Sequence, residues 1–514
     1  MPYLQKVFSN TYRDSVALMQ ISASLGEMDG VTQASLIMAT DANLELLNDA
    51  GLLDTAPDAG PNDLLFAAEG DSADTLHSAA EQAEAKLTET KAGRTGGGPA
   101  KEPAQSVQMA LDEAPAANLA LISVPGEYAA AEAEKSLNLG LDVMLFSDNV
   151  SVEDEIALKA LATEKNLLVM GPDCGTAIIN GLPLAFANVV ARGDIGIIAA
   201  SGTGLQQVSC LVDRWGGGIS QAIGTGGRDL SPQVGGATML AALDALAKDD
   251  ATKVIVLISK PPAPKVAAKV LRTAAGVGKP VVVNFLGHTG EMPSDSLTSA
   301  TDLEAAAHAA AHLAGLPQDA PARHLLNPPE LAELSGNLGK DQKYIRGLYS
   351  GGTFSYEAML ILGDMLGPIH SSTPLSPEQK LNDPWTSTAH TVVDLGDDTF
   401  TRGRPHPMID QRIRNERLLQ EAKDPETAVI LLDVVLGHGS HLNPAEEMIP
   451  AIADARAAAP GNAPLFVGFV CGTSADPQNL EKQETLLGEA GVLLMESNAQ
   501  AARLAGDLVM AGGN

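Results

Sequence analysis

The chemistry in this chain is concentrated in turns where apolar runs break into glycine and hydroxyl residues. In GDIGIIAASGTGLQQVS, residues 193–209, Ser201, Gly202, Thr203 and Gly204 follow an apolar strand and open a helical stretch. Such a turn exposes backbone N–H groups at the positive end of the helix dipole, where a phosphate or carboxylate can sit. A strand-to-helix turn that needs its glycines only for backbone conformation has the same composition. IRGLYSGGTFSYEAM, residues 345–359, repeats the pattern with Gly351, Gly352 and Thr353. Gly226 and Gly227 lead into Arg228 in GGRDLS, and Arg402 and Arg404 lie in TRGRPHPMID. These arginines are planar donors that can grip a carboxylate or phosphate bidentately. His406 and His438 are candidates for proton transfer near neutral pH.

Each candidate has a plainer reading. Arg228 beside Asp229 fits a structural ion pair, the arginines of TRGRPHP fit an intersubunit contact, and glycine-flanked His438 fits an ordinary turn. Asp173 and Cys174 in GPDCGT and Pro125 in SVPGEY lie at strand ends. Without a paired histidine, Cys174 is read as packing rather than as a nucleophile. His308, His312 and His390 read as surface or core fillers. The polar turn Tyr12 to Ser15 reads as a helix cap from Asp14 or Ser15. No metal set emerges, because the two prolines of GRPHPMID oppose the helix that would align His406 with Asp410.

The elements that position these turns alternate strand and helix, the pattern of parallel sheets with right-handed crossovers, in which ligands bind at the carboxyl ends of the strands. A small α/β unit is expected over 1–90, a glycine- and proline-rich linker over 91–106, a Rossmann-like unit over 107–192, a flavodoxin-like module over 193–318, a linker over 319–342 and a second flavodoxin-like module over 343–514. The two modules echo each other in order: IGIIAASGTG with IRGLYSGGT, AIGTGGRD with VVDLGDD, KVIVLISK with AVILLDVV, and PVVVNFLGHT with PLFVGFVCGT. Four matches in register indicate a duplicated unit whose glycine turns converge.

Composition narrows the function classes. With 514 residues the chain exceeds one core. A net charge of −31 and 3% aromatic residues argue against a nucleic-acid partner. No apolar run reaches the roughly 18 residues of a membrane span. Three scattered cysteines indicate neither disulfides nor a zinc ribbon, which points to a reducing cytoplasm.

Several segments resemble the NDP-forming acyl-CoA synthetase superfamily, with succinyl-CoA synthetase as its familiar member. Residues 118–178, including GPDC, are similar to the later part of the α-subunit's CoA-binding domain; GDIGIIAASGTG is similar to its ligase domain; VVDLGDDTF and AVILLDVVLGHGSH are similar to the β-subunit's carboxy-terminal domain. The resemblance implies a Rossmann-like CoA-binding-type domain followed by two succinyl-CoA-synthetase-type ligase domains. It also implies that Gly437 to Gly439 supply a helix start facing the Ser201 turn, and it places Pro125, Asp173 and Cys174 on the cofactor side. The ATP-grasp domain and the phosphohistidine loop have no counterpart, since His288 lies at a strand end in GHTGEMPSDS.

VFSNTYRDSVALMQIS, GGRDLS, SKPP, YSGGT, VVDLGDD and GRPHPMID are also similar to the FdrA family. That resemblance implies the large subunit of an oxamate carbamoyltransferase, which interconverts oxalurate and phosphate with oxamate and carbamoyl phosphate. On this reading phosphate or carbamoyl phosphate is the ligand, no cofactor is required, CoA is doubtful, and the chain works as an oligomer with partner subunits. An acyl-CoA synthetase subunit and a non-catalytic CoA- or anion-binding scaffold are the alternatives.

Overall fold

The computed structural model describes residues 2–92, 104–288, 290–317, 326–402 and 404–512. Of the expected linkers, residues 93–103 and 319–325 lie outside the described residues, as do Thr289 and Gly403 within their motifs. The amino-terminal unit runs β1 (Tyr3–Phe8), α1 (Ser15–Gly26), β2 (Val31–Met38), α2 (Asp41–Asp49), β3 (Leu64–Gly70) and α3 (Ala73–Ala92). Its sheet has the order β1-β3-β2, with β3 antiparallel to both neighbours. Leu18, Leu36, Phe66 and Leu76 form a core between sheet and helices. Asp14 caps α1 by accepting from Ala17 N at 2.9 Å, and Tyr12 Oη donates to Ser123 O at 2.8 Å, tying the unit to the next one.

Next come α4 (Val107–Glu113), β4 (Leu119–Ile122), α5 (Gly126–Asn138), β5 (Asp142–Leu145), α6 (Val152–Lys165) and β6 (Val169–Met170), whose three strands are parallel in the order β4-β5-β6. Ser151 starts α6 by accepting from Asp154 N, and three acidic residues in the first turn suit the helix dipole. A hairpin follows, β7 (Thr176–Ile179) and β8 (Leu182–Ala185), turning at Asn180-Gly181 with both φ angles positive. It pairs antiparallel with an edge strand of the first large module.

That module comprises β9 (Arg192–Ala199), α7 (Gly202–Arg214), β10 (Ile219–Gly224), α8 (Ala237–Lys248), β11 (Val254–Ser259), α9 (Pro264–Ala274), β12 (Val281–Phe285), β13 (Leu297–Ser299) and α10 (Leu303–Leu313). Residues 326–342, read as linker, instead contain α11 (Pro328–Gly336). Asn327 and Glu330 form a capping box there, with proline in the first turn. The second module comprises β14 (Tyr344–Tyr349), α12 (Gly352–Leu366), β15 (Thr391–Asp394), α13 (Asp398–Thr401), α14 (Arg412–Ala422), β16 (Thr427–Val435), α15 (Pro444–Ala458), β17 (Leu465–Cys471), α16 (Leu480–Glu489), β18 (Val492–Met495) and α17 (Asn498–Gly512).

The strand orders β10-β9-β11-β12-β13 and β15-β14-β16-β17-β18 are the same flavodoxin-like order, and every strand pair within each set is parallel. One apolar core runs through both modules. Leu205 and Val208 of α7, Ala306 of α10, Phe354 of α12 and Leu508 of α17 belong to it together. The duplicated sheets therefore share a helical layer between them, and this layer brings their glycine turns face to face.

Candidate functional site

The turn after β9 is closed by Ser201, whose Oγ accepts from Gly204 N at 2.9 Å and caps α7. The turn after β14 is capped by Gly351, which has no side chain to do the same. The two turns meet: Ser201 Oγ and Thr353 Oγ1 lie 2.7 Å apart. First-turn amides of a helix have no acceptor within it. Those of Gly202, Thr203, Gly352 and Thr353 carry no hydrogen bond among the described residues. Two positive helix ends thus converge on one place, as the echoed sequence predicts.

Side chains from two strand ends flank the start of α12. A Cβ on Gly352 would strike Asp394 Oδ2, at the end of β15, and would stand 3.3 Å from Nζ of Lys260, just past β11. Glycine is required there by this close approach. Lys260 lies 6.0 Å from the Tyr356 ring centre and forms no ion pair among the described residues. Burial raises Asp394 to about 7; Lys260 and the Gly396 amide oppose the rise, while Asp397 and Asp433 add to it. His406 lies across Gly396 from Asp394. Burial, then the nearby Arg414 guanidinium, pushes it down to about 4, so it is neutral near pH 7. Its Nδ1 accepts from Met408 N at 3.2 Å, which leaves the proton on Nε2.

Behind the second turn, Asp433 on β16 accepts from Ser350 N, Ser350 Oγ and Gly351 N at 2.8–2.9 Å. Arg414 pairs with this carboxylate at 3.1 Å, both groups being fully buried. Lys260, Asp394, Asp433 and Arg414 were not singled out from the sequence. The available signal was that SKPP and VVDLGDD end strands, where parallel sheets place their ligands.

Other sequence candidates are drawn elsewhere. Gly437 to Gly439 do not start a helix, since α15 begins at Pro444. Gly437 has φ +105°, its amide donates to Gln478 Oε1 at 3.0 Å, and it packs on Ala187 O; Gly439 packs on the Phe186 ring. His438 is exposed and its amide donates to Ala187 O, so this turn is a seat for residues 186–189 rather than an anion cradle. Asn188 completes the seat by donating to Leu436 O and Asp476 Oδ2.

Arg228 pairs with Glu155 and donates to Val150 O, while Asp229 is buried against Lys159 and caps Thr238 and Met239. Arg228 therefore clamps α6 to this module through a different carboxylate than its sequence neighbour. Gly226 packs on Pro172 O, and a Cβ on Gly227 would stand 3.8 Å from Asp173 Oδ2. Arg404 makes a surface pair with Glu416 and Arg402 is exposed. Cys174 is buried, its thiol pushed up to about 12 by burial, which fits packing. Asp173, raised to about 6 by burial and then by Asp148, has a positive φ, and Pro125 precedes α5 without a side-chain cap.

Three family models match: CoA-ligase over residues 348–508, CoA binding domain over 191–287, and AllF, heavy metal-associated domain over 1–104. The CoA-binding match falls on the module that carries the Ser201 turn, one unit later than the 107–192 segment read as CoA-binding-type from the sequence. The AllF-type segment offers no thiolate to a heavy metal, because its residues include no cysteine. Among the described residues, Glu27, His441 and Glu447 do cluster. Yet His441 Nδ1 accepts from Asn443 N at 3.1 Å, so Nε2 bears the proton that faces Glu447 at 3.3 Å, and no lone pair is left for a metal.

Among individual proteins, the chain is 47% identical over 509 residues to YahF of Escherichia coli (strain K12), covering 98% of each. It is 29% identical over 150 residues to the succinate–CoA ligase [ADP-forming] α-subunit of Aquifex aeolicus (strain VF5), covering 28% of this chain and 48% of that one. A dinucleotide-forming acetyl-coenzyme A synthetase from Ca. Korarchaeum cryptofilum, solved with phosphate and ADP, is 16% identical over 81% of this chain and 87% of its own, with a TM-score of 0.35. No helix among the described residues is long and apolar enough to cross a membrane. The chain belongs to the YahF family of FdrA-like proteins, within the succinyl-CoA synthetase-like superfamily.

Proposed function

We propose that the chain is the phosphate-binding subunit of an oxamate-type carbamoyltransferase, acting with partner subunits. The carrying observation is the 2.7 Å contact between Ser201 and Thr353, which brings two helix starts with unspent amides to one point beside Lys260. Phosphorolysis of oxalurate needs a held phosphate nucleophile, donors for the oxyanion that forms, and a proton for the departing nitrogen. The paired turns offer the first two, and Asp394 carries a titratable proton beside them. Among the described residues between α10 and β14, α11 is the one regular element, and phosphorolysis calls on no nucleotide.

The second reading is an acyl-CoA synthetase subunit, favoured by the CoA-ligase and CoA-binding matches on the two modules. One assay separates the two. The purified chain, with and without its genomic neighbours' products, is incubated with oxamate and carbamoyl phosphate, and oxalurate and released phosphate are measured. Turnover in the complete mixture is expected. No turnover, together with ATP- and CoA-dependent thioester formation, would replace the transferase by the ligase.

A further inference from the structure

Lys260 and Asp394 come from different modules and meet at the first residue of α12. Asp394 is 9% exposed; Oδ1 accepts from Gly396 N at 3.0 Å, and Oδ2 has no hydrogen bond among the described residues and lies against Gly352. Lys260 is exposed and closes no ion pair with it. Among the described residues, a cation with no ion pair and a carboxylate oxygen with no hydrogen bond therefore flank free amides at a helix start. We propose that Lys260, Asp394 and the amides of Gly352 and Thr353 form a site for phosphate or an acyl phosphate that takes up one proton as it fills. The proposal rests on the phosphate reading above and names how that site is built.

The physical reason is charge. An ionised carboxylate at this place repels a phosphate dianion, whereas the carboxylic acid donates a hydrogen bond to it. The groups facing Asp394 are Lys260 beyond β11, Asp397 at the start of α13, Asp433 on β16 with Arg414 behind it, and neutral His406 across Gly396. The two aspartates favour the acid form and Lys260 opposes it. An arriving anion adds negative charge and tips the balance towards protonation. With its pKa already near 7, Asp394 is poised for that step.

In phosphorolysis the phosphate oxygen bonds to the carbamoyl carbon as the carbon–nitrogen bond breaks. The Asp394 proton passes to the leaving nitrogen, giving the amide of oxamate. The hydroxyl proton of the transferred phosphate returns to Asp394, and no net proton is used.

Calorimetric titration of the full chain with inorganic phosphate between pH 6.5 and 8.5, in two buffers of different ionisation heat, tests this directly. Phosphate's own titration is common to all variants, so the difference between wild type and Asp394→Asn isolates the carboxyl. Above pH 7.5 the wild type is expected to take up close to one proton more per phosphate than the variant. Its affinity should fall about tenfold more per pH unit. Lys260→Met is expected to weaken binding about tenfold or more, with Lys260→Arg restoring most of the loss. Equal proton counts in wild type and Asp394→Asn, or an unaffected Lys260→Met, overturn the inference while leaving phosphate binding intact. Absence of phosphate binding in the wild type removes the phosphate reading along with it. If Asp394→Asn does not fold, the wild-type proton count and the exposed Lys260 variants decide.

Discussion

The two glycine turns share a sequence pattern but differ in what holds them. The first is capped by its own hydroxyl, Ser201, and Ala200 N bonds to a backbone oxygen of the neighbouring strand, Ile258 O. The second is capped by Gly351, and its amides are held by the buried Asp433 carboxylate with Arg414 behind it. The same number of residues beyond each cap, α7 carries neutral Gln207 and α12 carries Glu357, both fully buried. Glu357 accepts from Leu303 N and Asn498 Nδ2, so it ties α12 to α10 and α17. Duplication thus preserved the backbone path while ionic side chains collected on one copy. The self-capped copy can accept changes near its turn, whereas the ionically braced copy depends on pairs that cannot lose one member.

The sharpest way to break this comparison is Asp433→Ala. It leaves Arg414 as an unpaired buried charge and should cost about 3–5 kcal/mol in denaturant unfolding. Ile258→Val, at the corresponding strand position in the first module, should cost about 1 kcal/mol. Equal losses would show that the two turns are braced alike.

A pH series gives the next largest effect. Burial raises Glu357 to about 7, so the folded chain holds this proton more tightly than the unfolded one. Its stabilising contribution is therefore complete below the unfolded carboxylate range near pH 4 and is lost as pH rises towards 7. Relative to wild type, Glu357→Gln should gain roughly 2 kcal/mol between pH 5 and pH 8 in urea midpoints. A Gln207→Ala control should show no such slope.

Smaller effects sharpen the turn contact itself. Ser201→Ala removes a cap and should cost about 1 kcal/mol, whereas Thr353→Ala removes only the far hydroxyl of the pair and should cost about 0.5 kcal/mol. A larger loss for Thr353→Ala would mean that the contact between turns matters more than the cap.

Much of this arrangement was legible in the sequence because it is local. Apolar strands ending in glycine and hydroxyl residues, followed by helical spacing, reveal the two modules, and their ordered echoes predict converging turns. The echo aligns Ser201 with Ser350, but the caps are Ser201 and Gly351: both turns span two residues between strand and helix, and the serine stands one place earlier in the second. The ionic partner of Arg228 was not legible, because a residue's neighbour in sequence is a poor guide to its ion pair; Glu155, not Asp229, reaches it from another unit. The Gly437 turn shows the same limit. Its glycines signal a close approach, and only the fold reveals that residues 186–189 make that approach.

The sequence by itself determined the strand–helix order, the duplication and the small residues at both turns, since each follows from periodicity and steric demand within a few residues. The tertiary structure alone decided that Lys260 and Asp394 flank one helix start and that Asp433 takes up the amides beside it. Those side chains stand at the ends of separate strands, and the shared helical core, not any local pattern, sets the distance between them. Electrostatic interactions depend on such distances and on burial, which a linear sequence does not contain.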